Sequence, residues 1–118
     1  MINFENGLVA VKDLKAHPLN EKLYPFKEHK KTIELLSKKL YDEYKATGIP
    51  NHTPLDVCPE TGTVNSGHFR WYSSQDMKDE KGNKVEITHL KAVPGRVFNP
   101  NYVEYDEMKF LEKFNKDG

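Results

Sequence analysis

The spacing of apolar positions changes several times along the chain, and each change predicts an element. Leu8-Val9-Ala10-Val11 is apolar without a break, so Gly7–Val11 is expected as a short strand inside a sheet. Lys12–Lys15 reads as one helical turn with Asp13 as its cap, and Ala16–Lys22 as loop, because Pro18 disfavours helix at His17 and Asn20 favours a turn. From Pro25 to Ala46 the period becomes helical. Ile33, Leu36, Leu40 and Tyr44 recur every three or four residues and form one buried stripe. Pro25 suits the first helical position, Glu34 precedes Lys38 by the four residues that favour a surface ion pair, and Gly48 and Pro50 end the helix.

Pro54–Cys58 and Thr63–Asn65 flank the turn residues Pro59-Glu60-Thr61-Gly62, which predicts a hairpin with a four-residue loop. A helix is expected over His68–Met77, followed by a charged turn at Gly82-Asn83. Val85–Val93 alternates and is rich in β-branched residues, as a strand would be. Met108, Leu111 and Phe114 predict a last helix over Tyr105–Asn115, and Lys116-Asp117-Gly118 should fray. The order strand, helix, hairpin, helix, strand, helix implies a single mixed α/β domain over residues 1–118, with helices packed on a small mixed sheet.

Composition narrows the partners. Formal net charge is zero, so no global field draws the chain to nucleic acid or to an acidic membrane, and any such contact needs a local patch. Cys58 is the only cysteine, which excludes an internal disulfide and suits a reducing compartment. No apolar run approaches the roughly 20 residues that span a bilayer, and the first residues lack a signal-peptide pattern, so a cytoplasmic protein without membrane contact is expected. His52, Cys58 and His68 have no recognised metal spacing, and no zinc is expected.

The stretch with the most chemistry is Val64-Asn65-Ser66-Gly67-His68-Phe69-Arg70-Trp71, where a strand passes through a glycine turn into a helix. A helix start leaves backbone N–H groups unpaired, which suits an anion. Ser66 can cap the helix and offer a hydroxyl, Gly67 permits a sharp turn and close approach of a ligand, and Arg70 presents a planar fork for phosphate oxygens. His68 can donate to phosphate or shuttle a proton. By residue type alone, a capped helix with Arg70 in a surface ion pair accounts for the stretch equally well.

Three stretches together resemble the ParB/sulfiredoxin superfamily, and within it the ParB N-terminal, or ParB-like nuclease, domain. Val9 to Asn20 is similar to the family's opening strand and its Leu-x-x-His-Pro-x-Asn loop. Ile33–Pro50 is similar to the helix that ends in Gly-Ile, and Val64–Trp71 to the Ser-Gly-His-Arg-Arg-Trp box. The match spans about residues 9–93. It implies a ParB/sulfiredoxin-like fold, nucleotide or nucleic-acid phosphate binding by Ser66, Gly67, His68 and Arg70, and a DNA-related bacterial, plasmid or phage role. It also implies ATP or CTP with Mg²⁺ as cofactor, DNA as a second ligand, and a protein partner or a second copy of the chain.

The chain departs from the family in named places. Phe69 stands where the first arginine of the common pair would be. His68 holds the place of the sulfiredoxin cysteine, which argues against sulfinic-acid repair, and Asp106–Asn115 does not supply the second, Asn-rich nucleotide motif of partition proteins. Two other classes of function therefore stand beside phosphate binding. One is a phosphotransfer or phosphodiester-cleaving enzyme (nucleotidase, nuclease or small-molecule kinase type), with Glu21 as base, His68 and Arg70 on phosphate, and a divalent metal brought by the nucleotide. The other is a non-catalytic interaction or regulatory module of a longer DNA-modifying protein. Lys30, Lys31 and Lys38 give the long helix a basic side that could follow a nucleic-acid backbone, although Glu28, Glu34, Asp42 and Glu43 are interleaved as on an ordinary solvated face. Arg96 is a candidate extension of that basic rim.

Overall fold

Short strands with one apolar face form the sheet, and the helices close over it. A computed structural model describes residues 1–117. The strands are β1 (Leu8–Ala10), β2 (Lys15–Ala16), β3 (Leu55–Val57), β4 (Thr63–Ser66) and β5 (His89–Pro94). The α-helices are α1 (Asn20–Leu23), α2 (Lys30–Thr47), α3 (His68–Ser74) and α4 (Glu104–Asp117). The strands form one five-stranded mixed sheet in the order β1-β5-β3-β4-β2. β1 runs antiparallel to β5, β5 parallel to β3, β3 antiparallel to β4, and β4 parallel to β2. This is the mixed α/β architecture that the element order predicts.

Alternation along each strand builds the core. Val9, Leu55, Val57, Val64, Leu90 and Ala92 point to one face and pack with Leu14, while Trp71 and Ile87 close over them. Asn51, fully buried, ties the chain entering β3 to β5. Its side-chain amide donates to the Lys91 and Thr53 carbonyls, and its oxygen accepts the Lys91 N–H. Loss of these bonds would leave buried amides unpaired, so Asn51 secures the β3–β5 pairing as an apolar residue could not.

The helix α2 ends as expected. Gly48 takes the left-handed conformation (φ 81°) and its N–H bonds back to the Tyr44 carbonyl. The predicted hairpin is present as β3 and β4.

Several expectations need correction. The apolar run at Leu8–Ala10 lies at the sheet edge rather than inside it. Only Val9 is fully buried there, and the run reflects packing above and below the strand, not partners on both sides. α2 begins at Lys30 rather than Pro25, because Pro25 is extended (ψ 132°) and opens a separate 3₁₀ turn over Phe26–Glu28. Leu36 and Tyr44 are half-buried, while Ser37 joins Ile33 and Leu40 in the buried stripe. Glu34 and Lys38 form no ion pair; Lys45 of this helix instead meets Glu80 at 2.7 Å.

Asp13 caps nothing, and Val11–Asp13 form a 3₁₀ turn. α3 stops at Ser74, and Met77 is fully buried in the turn beyond it. β5 starts at His89, four residues later than the alternation predicts. Ile87 packs on the core without a ladder partner, so alternation alone overstates the strand. α4 continues through Asp117, so the expected fraying is not seen at Lys116, and Gly118 lies outside the described residues. No helix among the described residues is long and apolar enough to cross a membrane.

Candidate functional site

The hairpin delivers Ser66 to the end of β4, and Gly67 turns the chain into α3. Gly67 has φ 102°, and a Cβ there would meet Leu55 Cδ2 at 2.5 Å and Arg70 Nη2 at 3.0 Å. A glycine is required both by the left-handed backbone and by the lack of space. Gly67 itself is the N-cap, with no side-chain cap bond, so Ser66 does not cap the helix as its type suggested. The first amides of α3 have no intrahelical acceptor.

Around this turn is a cleft of about 460 Å³ lined by Asn20, Tyr24, Gly67, His68, Arg70 and Lys116, with Ser66 at its edge. Two cations that suit an anion, Arg70 and Lys116, line it. Arg70 curls back over Gly67; among the described residues its one protein hydrogen bond is a long one, 3.4 Å from Nη2 to the Pro54 carbonyl, and its buried Nε has no partner. Among the described residues Arg70 forms no ion pair. Asn20, 5% exposed, lines the same cleft, and its side-chain amide lies beside the Tyr72 hydroxyl, where it opposes the upward pKa shift that burial gives that group. Lys116 adds an amine from the last turn of α4. Asn20 was read as a turn residue. Its signal in the sequence was its place at the end of the His-Pro-x-Asn stretch.

His68 stands differently from its sequence reading. It is buried, and its Nε2 accepts the backbone N–H of His17 at 3.0 Å. Burial, and secondly the adjacent His17, push its pKa down to about 3. At neutral pH His68 is therefore an uncharged ring whose proton sits on Nδ1. It can donate one hydrogen bond, but it is not poised to exchange protons near pH 7.

His17, read as a turn residue, is buried too. Its Nδ1 accepts the Leu19 N–H at 3.1 Å, so Nε2 carries the proton and points toward Glu107, 3.8 Å away and beyond hydrogen-bond reach. Burial lowers its pKa, and Glu107 opposes that shift.

Behind the cleft lies a charged pair that the sequence did not reveal. Arg96 Nη1 meets Glu107 Oε1 at 2.5 Å, and the Glu107 side chain is only 2% exposed. Arg96 is thus half-buried and clamped, rather than an extension of a basic rim. Its guanidinium also lies 4.0 Å from the Phe110 ring centroid. The other candidates lie elsewhere. Glu21 is exposed and does not line the cleft; its carboxylate accepts the Phe26 N–H at 3.0 Å and closes the 3₁₀ turn. Lys30, Lys31 and Lys38 are exposed on α2, outside the cleft. Cys58 is fully buried, with its sulfur accepting the Phe98 N–H. Among the described residues no three His, Cys, Asp or Glu side chains converge as metal ligands.

No protein-family model, curated protein or solved structure matches this chain.

Proposed function

We propose that the chain is a ParB/sulfiredoxin-like binding domain whose Gly67–Arg70 cleft takes the phosphates of a nucleotide. The observation that carries this reading is the meeting of two cations, Arg70 and Lys116, in one cleft at the Gly67 turn whose lining, among the described residues, holds no carboxylate. A planar cation and a neutral amide are suitable donors for phosphate oxygens. His68 supplies a neutral N–H, and Lys116 a second charge. The cleft's size and the zero net charge favour a small phosphate ligand over a nucleic-acid backbone. Magnesium would arrive with the nucleotide and balance its charge.

This reading is of a binder. Glu21 is engaged in its own turn, and His68 is held neutral, so neither candidate for acid–base work is placed for it. The test is a thermal-unfolding series with ATP, CTP or GTP plus magnesium, run beside a short DNA duplex. A nucleotide that binds the native state raises the midpoint, by about 2.7 kcal/mol of stability at 100 times Kd. Arg70→Ala should abolish that rise and leave the unliganded circular dichroism spectrum unchanged. No rise with any nucleotide overturns the reading, and a response to DNA alone reassigns the cleft to nucleic acid.

A further inference from the structure

The phosphate cleft does not end at Arg70. Ser66 and Arg70 also line a second cleft, of about 660 Å³, between the ends of β3 and β5 and the last turns of α4. Its walls are of another kind: Pro54, Val93, Phe110 and Phe114 are apolar, and Lys113 stands with them. Phe110 and Phe114 stack with centroids 5.5 Å apart and planes 21° apart. Phe110 is 40% exposed and Val93 45%, so the wall is open to a ligand. The Phe110 ring also lies under the Arg96 guanidinium, which is ion-paired with buried Glu107. A fixed aromatic pair beside a cation is a preorganised seat for a flat ring.

Asp56 decides which end of a ligand lies here. Its Oδ1 accepts from Asn65 Nδ2 and the Arg96 N–H, and its carboxylate offsets one of the two cations, Arg70 and Lys113, that line the second cleft, whereas the first cleft has Arg70 and Lys116 and no carboxylate among its described lining residues. The anion belongs on the Asn20–Lys116 side, and the uncharged aromatic part beside Phe110 and Phe114.

We propose that the α4 cleft is the base-binding half of a two-part nucleotide site, with the nucleobase against Phe110 and Phe114 and the phosphates beyond Arg70. The assignment rests on the phosphate reading above and adds an aromatic seat to it. The two clefts together fall in the size range of small-molecule sites, with Arg70 at the junction.

The test compares ATP with inorganic tripolyphosphate, both with magnesium, by calorimetric titration of the wild-type chain, Phe114→Leu and Phe114→Tyr. Leucine keeps the apolar packing and removes the aromatic face; tyrosine keeps the face. Base–aromatic stacking implies a loss of roughly five- to 150-fold in ATP affinity for Phe114→Leu, with tripolyphosphate unchanged and Phe114→Tyr close to wild type. Upfield ring-current shifts of the adenine protons in the wild-type complex, reduced in Phe114→Leu, provide a readout that a purely structural role would not move. Equal binding of ATP and tripolyphosphate, with no effect of Phe114→Leu, overturns the base site and leaves the phosphate site standing. Absence of binding by both ligands overturns both.

Discussion

Acidification should destabilise this fold well above the range in which carboxylates titrate. His68 is buried against Trp71 and Tyr72, and its one accepting nitrogen is taken by the His17 N–H. The native ring gains a proton only near pH 3, whereas the unfolded chain gains it near 6.5. Between those values the unfolded state binds more protons, so stability is complete above about pH 6.5 and falls as the pH drops toward 3. For these two pKa values the loss from pH 7.5 is about 1.4 kcal/mol at pH 5.5 and about 2 kcal/mol at pH 5. His17, also lowered by burial, acts in the same direction. Urea unfolding at pH 7.5, 6.5 and 5.5 measures it. With a slope of about 2 kcal/mol/M, the midpoint should fall by about 0.7 M over this range. His68→Gln places an amide oxygen where Nε2 accepts and removes the titration, so its midpoint should be lower throughout but flatter with pH. A wild-type midpoint that does not move between pH 7.5 and 5.5, or a His68→Gln slope equal to wild type, would refute the reasoning.

Gly67→Ala should cost about 3 kcal/mol in urea unfolding, from the left-handed backbone and the 2.5 Å approach to Leu55; a loss below about 1 kcal/mol would show that the turn relaxes freely. Glu107→Gln should cost about 2–3 kcal/mol, below the full penalty for breaking a buried pair because the Arg96 side chain is 28% exposed. The same variant should weaken ATP binding more than tripolyphosphate binding, since it loosens the support behind Phe110.

The parts of the fold legible in the sequence were those with a period or a punctuating residue. Gly48 ended α2, and Pro59-Glu60-Thr61-Gly62 folded the hairpin, because backbone geometry at such residues is local. β2 could not be read: its two residues are exposed and join the sheet through backbone pairing with β4 alone. The edge position of β1 was hidden for a related reason, since apolar content reports burial and not the number of neighbouring strands.

In the candidate site, Gly67 and Arg70 stood out by residue type, and both line the cleft. Glu107 did not: it lies one turn before Leu111 and shares its buried face, but a carboxylate is read as solvent-facing by type until Arg96, 11 residues upstream, is found beside it. The burial of His17 and His68 is equally non-local: they are 51 residues apart and joined by one hydrogen bond, and the His17 ring packs on Phe98 and Tyr102, far along the chain. A proton-shuttle reading of His68 was reasonable by type and is displaced by that contact.

The most direct test of the phosphate cleft is a ¹H–¹⁵N correlation titration of the uniformly labelled chain with magnesium ATP and with magnesium CTP. The account predicts shifts concentrated on the Asn20 side-chain amide, the backbone amides of Gly67–Arg70 and the Arg70 Nε–H, with the same map lost in Arg70→Ala. An unchanged spectrum at millimolar nucleotide, or shifts confined to the exposed lysines of α2, would contradict it.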